Sequence, residues 1–145
     1  MLLGQLAQWA GLATADRSLR RPTPAPYRQR LENWRNVQYH GALEVGGQQV
    51  MAVFDTGSFN LLVVSERCSE CPKPPYDPDT SPTFRAAPNA SRIVKHRFGS
   101  GPTESLRGYE RVQIGPLVSP NQTFYQIVGH NISALNESGS FNAIV

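Results

Sequence analysis

No apolar run in this chain reaches the roughly 18 residues needed to cross a bilayer as a helix, so no transmembrane segment is predicted. Strong helical periodicity is scarce as well. Charged residues are only 17% of the chain against 39% hydrophobic, which excludes a charge-driven disordered polymer. His40, His96 and His130 are scattered without ligand spacing, and no metal or cofactor motif is present. A net basic surplus is missing from most of the chain. Six arginines between Asp16 and Arg35 face only Asp16 and Glu32, a surplus of four that exceeds the whole net charge of +3. The remainder is close to neutral, so the pI near 9.1 marks one N-terminal stretch and argues against a nucleic-acid-binding face on the body.

Residues 1–15, MLLGQLAQWAGLATA, carry no charge and end in Ala13-Thr14-Ala15. That resembles a secretory signal with a small-x-small cleavage site. The alternative is an amphipathic helix with Leu2, Leu6, Trp9 and Ala13 on one face. Four of the eight asparagines, Asn89, Asn121, Asn131 and Asn136, open N-x-S/T sequons, which favours the secretory route. Residues 16–36 hold Arg20-Arg21 followed by Pro22, Pro24 and Pro26, too proline-rich for a helix and too polar for a core. They read as a basic pro-segment or linker, ahead of a domain over 37–145.

From Gln38 onward short strands are predicted. Leu43 and Val45 precede Gly46-Gly47, a hairpin turn. Val50–Phe54 and Leu61–Val64 are continuous apolar runs, as in strands buried on both faces. Further runs cover Arg92–Phe98, Gly108–Ile114, Thr123–Val128 and Phe141–Val145. The spacing suggests an all-β domain of hairpins. One carboxylate, Asp55, stands between two buried runs and must be satisfied by hydrogen bonds. Thr56, Gly57 and Ser58 follow it. An Asx-type turn is the bland reading; a carboxylate held for acid–base chemistry is the functional one.

Val53–Leu61, reading VFDTGSFNL, resembles the first active-site loop of the pepsin-like aspartic proteases. Tyr39–Gly46, Tyr76–Phe84, Phe98–Gly101, Gly108–Gly115 and Phe141–Val145 are similar to further family segments, in order and with compatible spacing. The resemblance implies the N-terminal lobe of such an enzyme, a double-ψ-type β-barrel of short strands and hairpins, here incomplete. It implies Asp55 as one catalytic carboxylate, braced by the loop residues Thr56, Gly57 and Ser58. Phe98, Gly99, Ser100 and Gly101 would form the substrate-covering flap, and Cys68 and Cys71 a small disulfide loop. A redox CxxC pair or half a zinc site would need a helix start or further ligands. The family uses no metal or cofactor and acts on polypeptides. Residues 1–15 and 16–36 would be its leader and pro-segment, in a secreted, lysosomal or vacuolar protein.

Three departures stand out. No second Asp-(Thr/Ser)-Gly occurs, so the second lobe and its carboxylate are expected outside these 145 residues, and the fragment alone is expected to be inactive. The flap tyrosine is Phe98, and its usual tryptophan partner is Leu62. Asn142-Ala143 stands where the family favours Asp-Gly, and the alanine is expected to strain a turn. These keep a non-catalytic secreted glycoprotein with a peptide-binding surface as the alternative. Expressed in a eukaryotic cell within the full-length protein, the sequons are expected to carry N-glycans. Digestion with an endoglycosidase should raise gel mobility; an unchanged band for all four sequons would contradict this.

Overall fold

The computed structural model describes residues 25–71, 74–89, 93–133, 135 and 141–145. The sequence-based leader, residues 16–24 of the basic stretch and Asn136 lie outside them. Nine strands are β1 (Glu32–Trp34), β2 (Gln38–Val45), β3 (Gln48–Val53), β4 (Leu61–Val64), β5 (Arg85–Ala86), β6 (Ile93–Phe98), β7 (Gly101–Ile114), β8 (Leu117–His130) and β9 (Ala143–Ile144). Gly46 and Gly47 both take positive φ, 59° and 79°, in the two-residue turn that closes Val45 against Gln48. Such a turn matches the strand twist but is costly for residues with a Cβ.

The sheet order is β1-β2-β3-β9-β4-β8-β7-β5, with β6 on β7, and a β2–β7 pairing turns it back on itself. The expected all-β lobe is therefore present, as a ring of strands that continues into extra hairpins rather than a clean barrel. Leu61 and Val63 point into a cluster with Leu43, Val45, Val50, Ala52, Tyr76, Val112, Phe124 and Ala143. Leu62 and Val64 point the other way, into a cluster with Cys68, Cys71, Ile127, Ile132, Leu135, Phe141 and Ile144. The period of two thus makes β4 a partition between two cores, which is why its sequence is apolar throughout.

β9 lies between β3 and β4, parallel to the first and antiparallel to the second. The two runs that flank Asp55 are therefore held apart by a strand from the far end of the chain. Asn142 locks it in: its Oδ1 accepts from Met51 N–H (2.9 Å) and its amide donates to the Pro74 carbonyl (2.5 Å). Ala143 is buried within β9 and takes no positive φ, so the expected strain does not arise. An extended strand accepts a methyl where a left-handed turn would not.

β7 and β8 run much longer than their apolar runs. The added stretches, such as Pro102–Arg107 and Leu117–Gln122, are polar on at least one face; the first is held between β6 and the end of β8, the second by the end of β7. β1 and β5 are short and carry charge, so no apolar pattern marks them.

Glu110 ties the loop after the disulfide to β7. Its side chain is 1% exposed. The carboxylate accepts from Tyr76 Oη (2.6 Å), Ser81 Oγ (2.6 Å), Thr83 Oγ1 and the Arg111 N–H (2.7 Å). Burial alone would push the carboxyl pKa up; the four donors outweigh it and hold it below the usual range. Because the folded value is the lower one, its stabilisation is complete above the unfolded value, about 4.3. It is lost as pH falls through the folded value. Glu110→Leu orphans the buried Tyr76 hydroxyl and is expected to cost about 3 kcal/mol near neutral pH. Thermal unfolding of the protein across the acid range should also lose part of its pH slope in this variant. An unchanged melting temperature and slope would refute the network's role.

Candidate active site

Asp55 is placed by backbone bonds before any side chain acts. Its N–H donates to the Val145 carbonyl (2.7 Å), and Val145 N–H donates to the Val53 carbonyl (2.9 Å). The end of β9 therefore fastens the point where the chain leaves β3. The chain then turns tightly, Ser58 N–H reaching back to the Asp55 carbonyl (3.1 Å). Within the turn Gly57 N–H donates to Oδ1 (2.9 Å) and Ser58 Oγ to Oδ2 (2.5 Å). Both carboxylate oxygens meet donors that only the charged form fully uses. The Ser58 hydroxyl first, then the Gly57 N–H, hold the carboxyl below the usual aspartate range, against a small opposing effect of burial.

β6 and β7 form a hairpin whose tip is Gly99-Ser100. Gly101, at φ 143°, packs so closely on Asn131 that a Cβ would sit 1.9 Å from its carbonyl oxygen. That contact pins the β7 side of the hairpin just behind its turn. Two clefts meet at Asp55 and the end of this hairpin. One, of about 310 Å³, is lined by Val37, Tyr39, Val53, Phe54, Phe141 and Ile144 among others, and is largely apolar. The other, of about 470 Å³, is lined by Ser58, Asn60, Leu62, Lys95, His96 and Arg97 among others. Asp55, Phe98 and Gly99 line both. The arrangement is a trough with a carboxylate on its floor and a hairpin above it.

Of the expected site residues, Asp55, Gly57, Ser58, Phe98, Gly99 and Ser100 come together along this trough. Gly101 lies behind the tip. Thr56 is exposed at the loop apex with no hydrogen-bond partner among the described residues, and Phe59 beside it is 99% exposed. Phe98 packs against the apolar cluster that contains Leu62, and both line the same cleft. Cys68 and Cys71 are joined, Cα atoms 5.5 Å apart, and both are buried. Asn89, Asn121 and Asn131 are exposed. Asp79 pairs with Arg67 at 3.2 Å, and Asp77 Oδ1 caps the Asp79 N–H, so neither acid faces Asp55. No second carboxylate lines either cleft among the described residues. Sequence reasoning missed Val37, Ile132 and Arg97 as lining residues, and the Val145 carbonyl as the anchor. None carries a local signal; each arrives through pairing or packing with a distant segment.

A family model described as eukaryotic aspartyl protease matches residues 38–142. The chain belongs to that family. Pepsin II-1 of Oryctolagus cuniculus is 34% identical over 99 residues, covering 65% of this chain and 25% of that protein. Pepsin A of Sus scrofa is 35% identical over the same length and shares. Aspartic protease 3 of Toxoplasma gondii is 37% identical over 106 residues, 68% of this chain and 16% of that protein. This aspartyl protease chain thus spans about a quarter of the length of the pepsins it matches. The match takes in both sides of the trough, the loop at Asp55 and the hairpin at Phe98.

Ser58→Ala removes the stronger of the two donors to Asp55. The carboxyl pKa is expected to rise toward the ordinary aspartate value, readable by carboxyl-carbon NMR titration of the protein. An unshifted titration would show that the Ser58 contact is not what holds the charge.

Proposed function

We propose that the protein is an aspartic endopeptidase in which Asp55 is one of two carboxylates that activate a water for attack on a peptide bond. The observation that carries this is the placement of Asp55 on the trough floor, with both oxygens held by Gly57 and Ser58 and its backbone anchored on Val145. A carboxylate stabilised in its charged form is suited to be the base that takes the water's proton. The second carboxylate is supplied from outside these 145 residues. It would hold the proton and polarise the scissile carbonyl. That two close carboxylates share one proton is established behaviour of this family's dyad, taken over here from the family.

The other residues then take roles. Thr56, unpaired at the loop apex, braces this loop against its counterpart in the second lobe. Phe98, Gly99 and Ser100 close over an extended peptide and exclude water, which strengthens the electrostatics beneath. Without a tyrosine hydroxyl, Phe98 acts by packing alone. The secretory route read from the leader and the sequons, with the joined cysteines, fits an oxidising compartment. The relatives support that class of location.

Asp55→Asn in the full-length protein is expected to abolish hydrolysis of an unstructured polypeptide while leaving binding largely intact. An amide keeps the hydrogen bonds but cannot take the water's proton. Wild-type activity should peak in acid. It should persist below the ordinary aspartate value, about 3.9, because Asp55 is held lower, and fall as the partner loses its proton at higher pH. Equal cleavage by both proteins would remove Asp55 from the mechanism.

A further inference from the structure

The two clefts that meet at Asp55 differ in chemistry. The first is walled by aliphatic and aromatic side chains. The second runs along β6, which among the described residues is paired only on its β7 side. Its wall brings Lys95, His96 and Arg97 beside Ser58 and Asn60. Lys95 has its ammonium 3.1 Å from Glu104, so that charge is largely matched. Arg97 has no ion-pair partner among the described residues, and the register sets it opposite Pro102, which offers none. His96 is half-buried, its ring 4.6 Å from that of Tyr125, and burial lowers its pKa below the ordinary imidazole value. The single acid lining this cleft is Asp55, whose two oxygens already accept from Gly57 and Ser58.

An extended peptide lying across Asp55 must put side chains into both clefts, one on each side of the bond above the carboxylate. We infer that the protein selects peptides with an apolar residue on one side of the scissile bond and an acidic residue on the other, Arg97 being the residue that recognises the acid. The inference rests on the protease reading, since it names that site's substrate class. An aspartate or glutamate side chain would meet the guanidinium and the Ser58 and Asn60 side of the cleft. A neutral glutamine has the same length but offers no charge, so the difference between the two isolates the interaction. Arg97 is exposed, so the gain is that of a screened ion pair, about threefold to fivefold in affinity.

The test uses the full-length protein and two peptide pairs differing only by Glu or Gln at the cleft-facing position. One pair is cleavable; in the other the scissile amide is reduced, so that binding is read without chemistry. Near pH 5 both kcat/KM and affinity are expected to favour Glu about threefold to fivefold. The preference should fade as the peptide's carboxyl protonates below about pH 4.3, and with added salt. Arg97→Gln should bring the ratio close to one, whereas Lys95→Gln should leave most of it. Equal binding of the Glu and Gln peptides would overturn the inference even if both are cleaved. A Glu preference in binding without any cleavage would uphold it and overturn the protease reading instead. Failure to bind either peptide would overturn both.

Discussion

Everything in this lobe depends on one inserted strand. Ala143 and Ile144 pair with β3 on one side and β4 on the other, and Val145 carries the same line on to the backbone of Asp55. Without it the two apolar runs around Asp55 would be free to pair as a simple hairpin, with the aspartate in its turn. With it, they are spread apart and the loop between them is lifted to the floor of an open trough. The free energy for this comes from burial: β4 feeds a core on each face, and Ala143 and Ile144 are themselves buried. Full burial of each large aliphatic side chain contributes about 2 kcal/mol. Part of that stabilisation holds a charged group at a surface where a hairpin turn would cost less.

The same logic separates two carboxylate environments, one buried and one half-exposed. Glu110 is sealed in by Tyr76, Ser81 and Thr83 and faces no cleft. It stitches a loop to the sheet. Asp55 has fewer donors and remains half-exposed, and its oxygens are held in place without being enclosed. Geometry, not residue type, separates the enclosed acid from the one that lines a cleft. The hairpin over the trough adds the second element. Gly101, which pairs with Phe98 to close the turn, is held by its contact with Asn131, while Gly99 at the tip has nothing within 4 Å of a Cβ position.

Much of this was legible in the residues. The Gly46-Gly47 turn, the apolar run of β4 and the conflict between a charged Asp55 and its apolar flanks are local signals, and each led to the observed element. The ordered series of motifs from Tyr39 to Val145 carried the fold class. What stayed hidden was non-local. β1 and β5 are charged edge strands without periodicity, and the outer halves of β7 and β8 are polar. Arg97 reads as an ordinary exposed strand residue until the fold places it on a cleft wall. The strain expected at Ala143 was a misreading of backbone state: a position taken for a turn lies within a strand, where a methyl fills the core.

The central claim is that Asp55, held by Val145, meets the reacting atoms of a peptide. The most direct test is a crystal structure of the whole protein with a peptide whose scissile amide is replaced by a hydroxyl-bearing tetrahedral isostere, which imitates the attacked carbonyl. The account predicts the hydroxyl within hydrogen-bond reach of the Asp55 carboxylate, about 2.6–3.2 Å. The peptide should run through both clefts beneath Phe98 and Gly99, and Asp55 N–H should still donate to Val145. An isostere bound with its hydroxyl turned away from Asp55, or seated outside the trough, would contradict it.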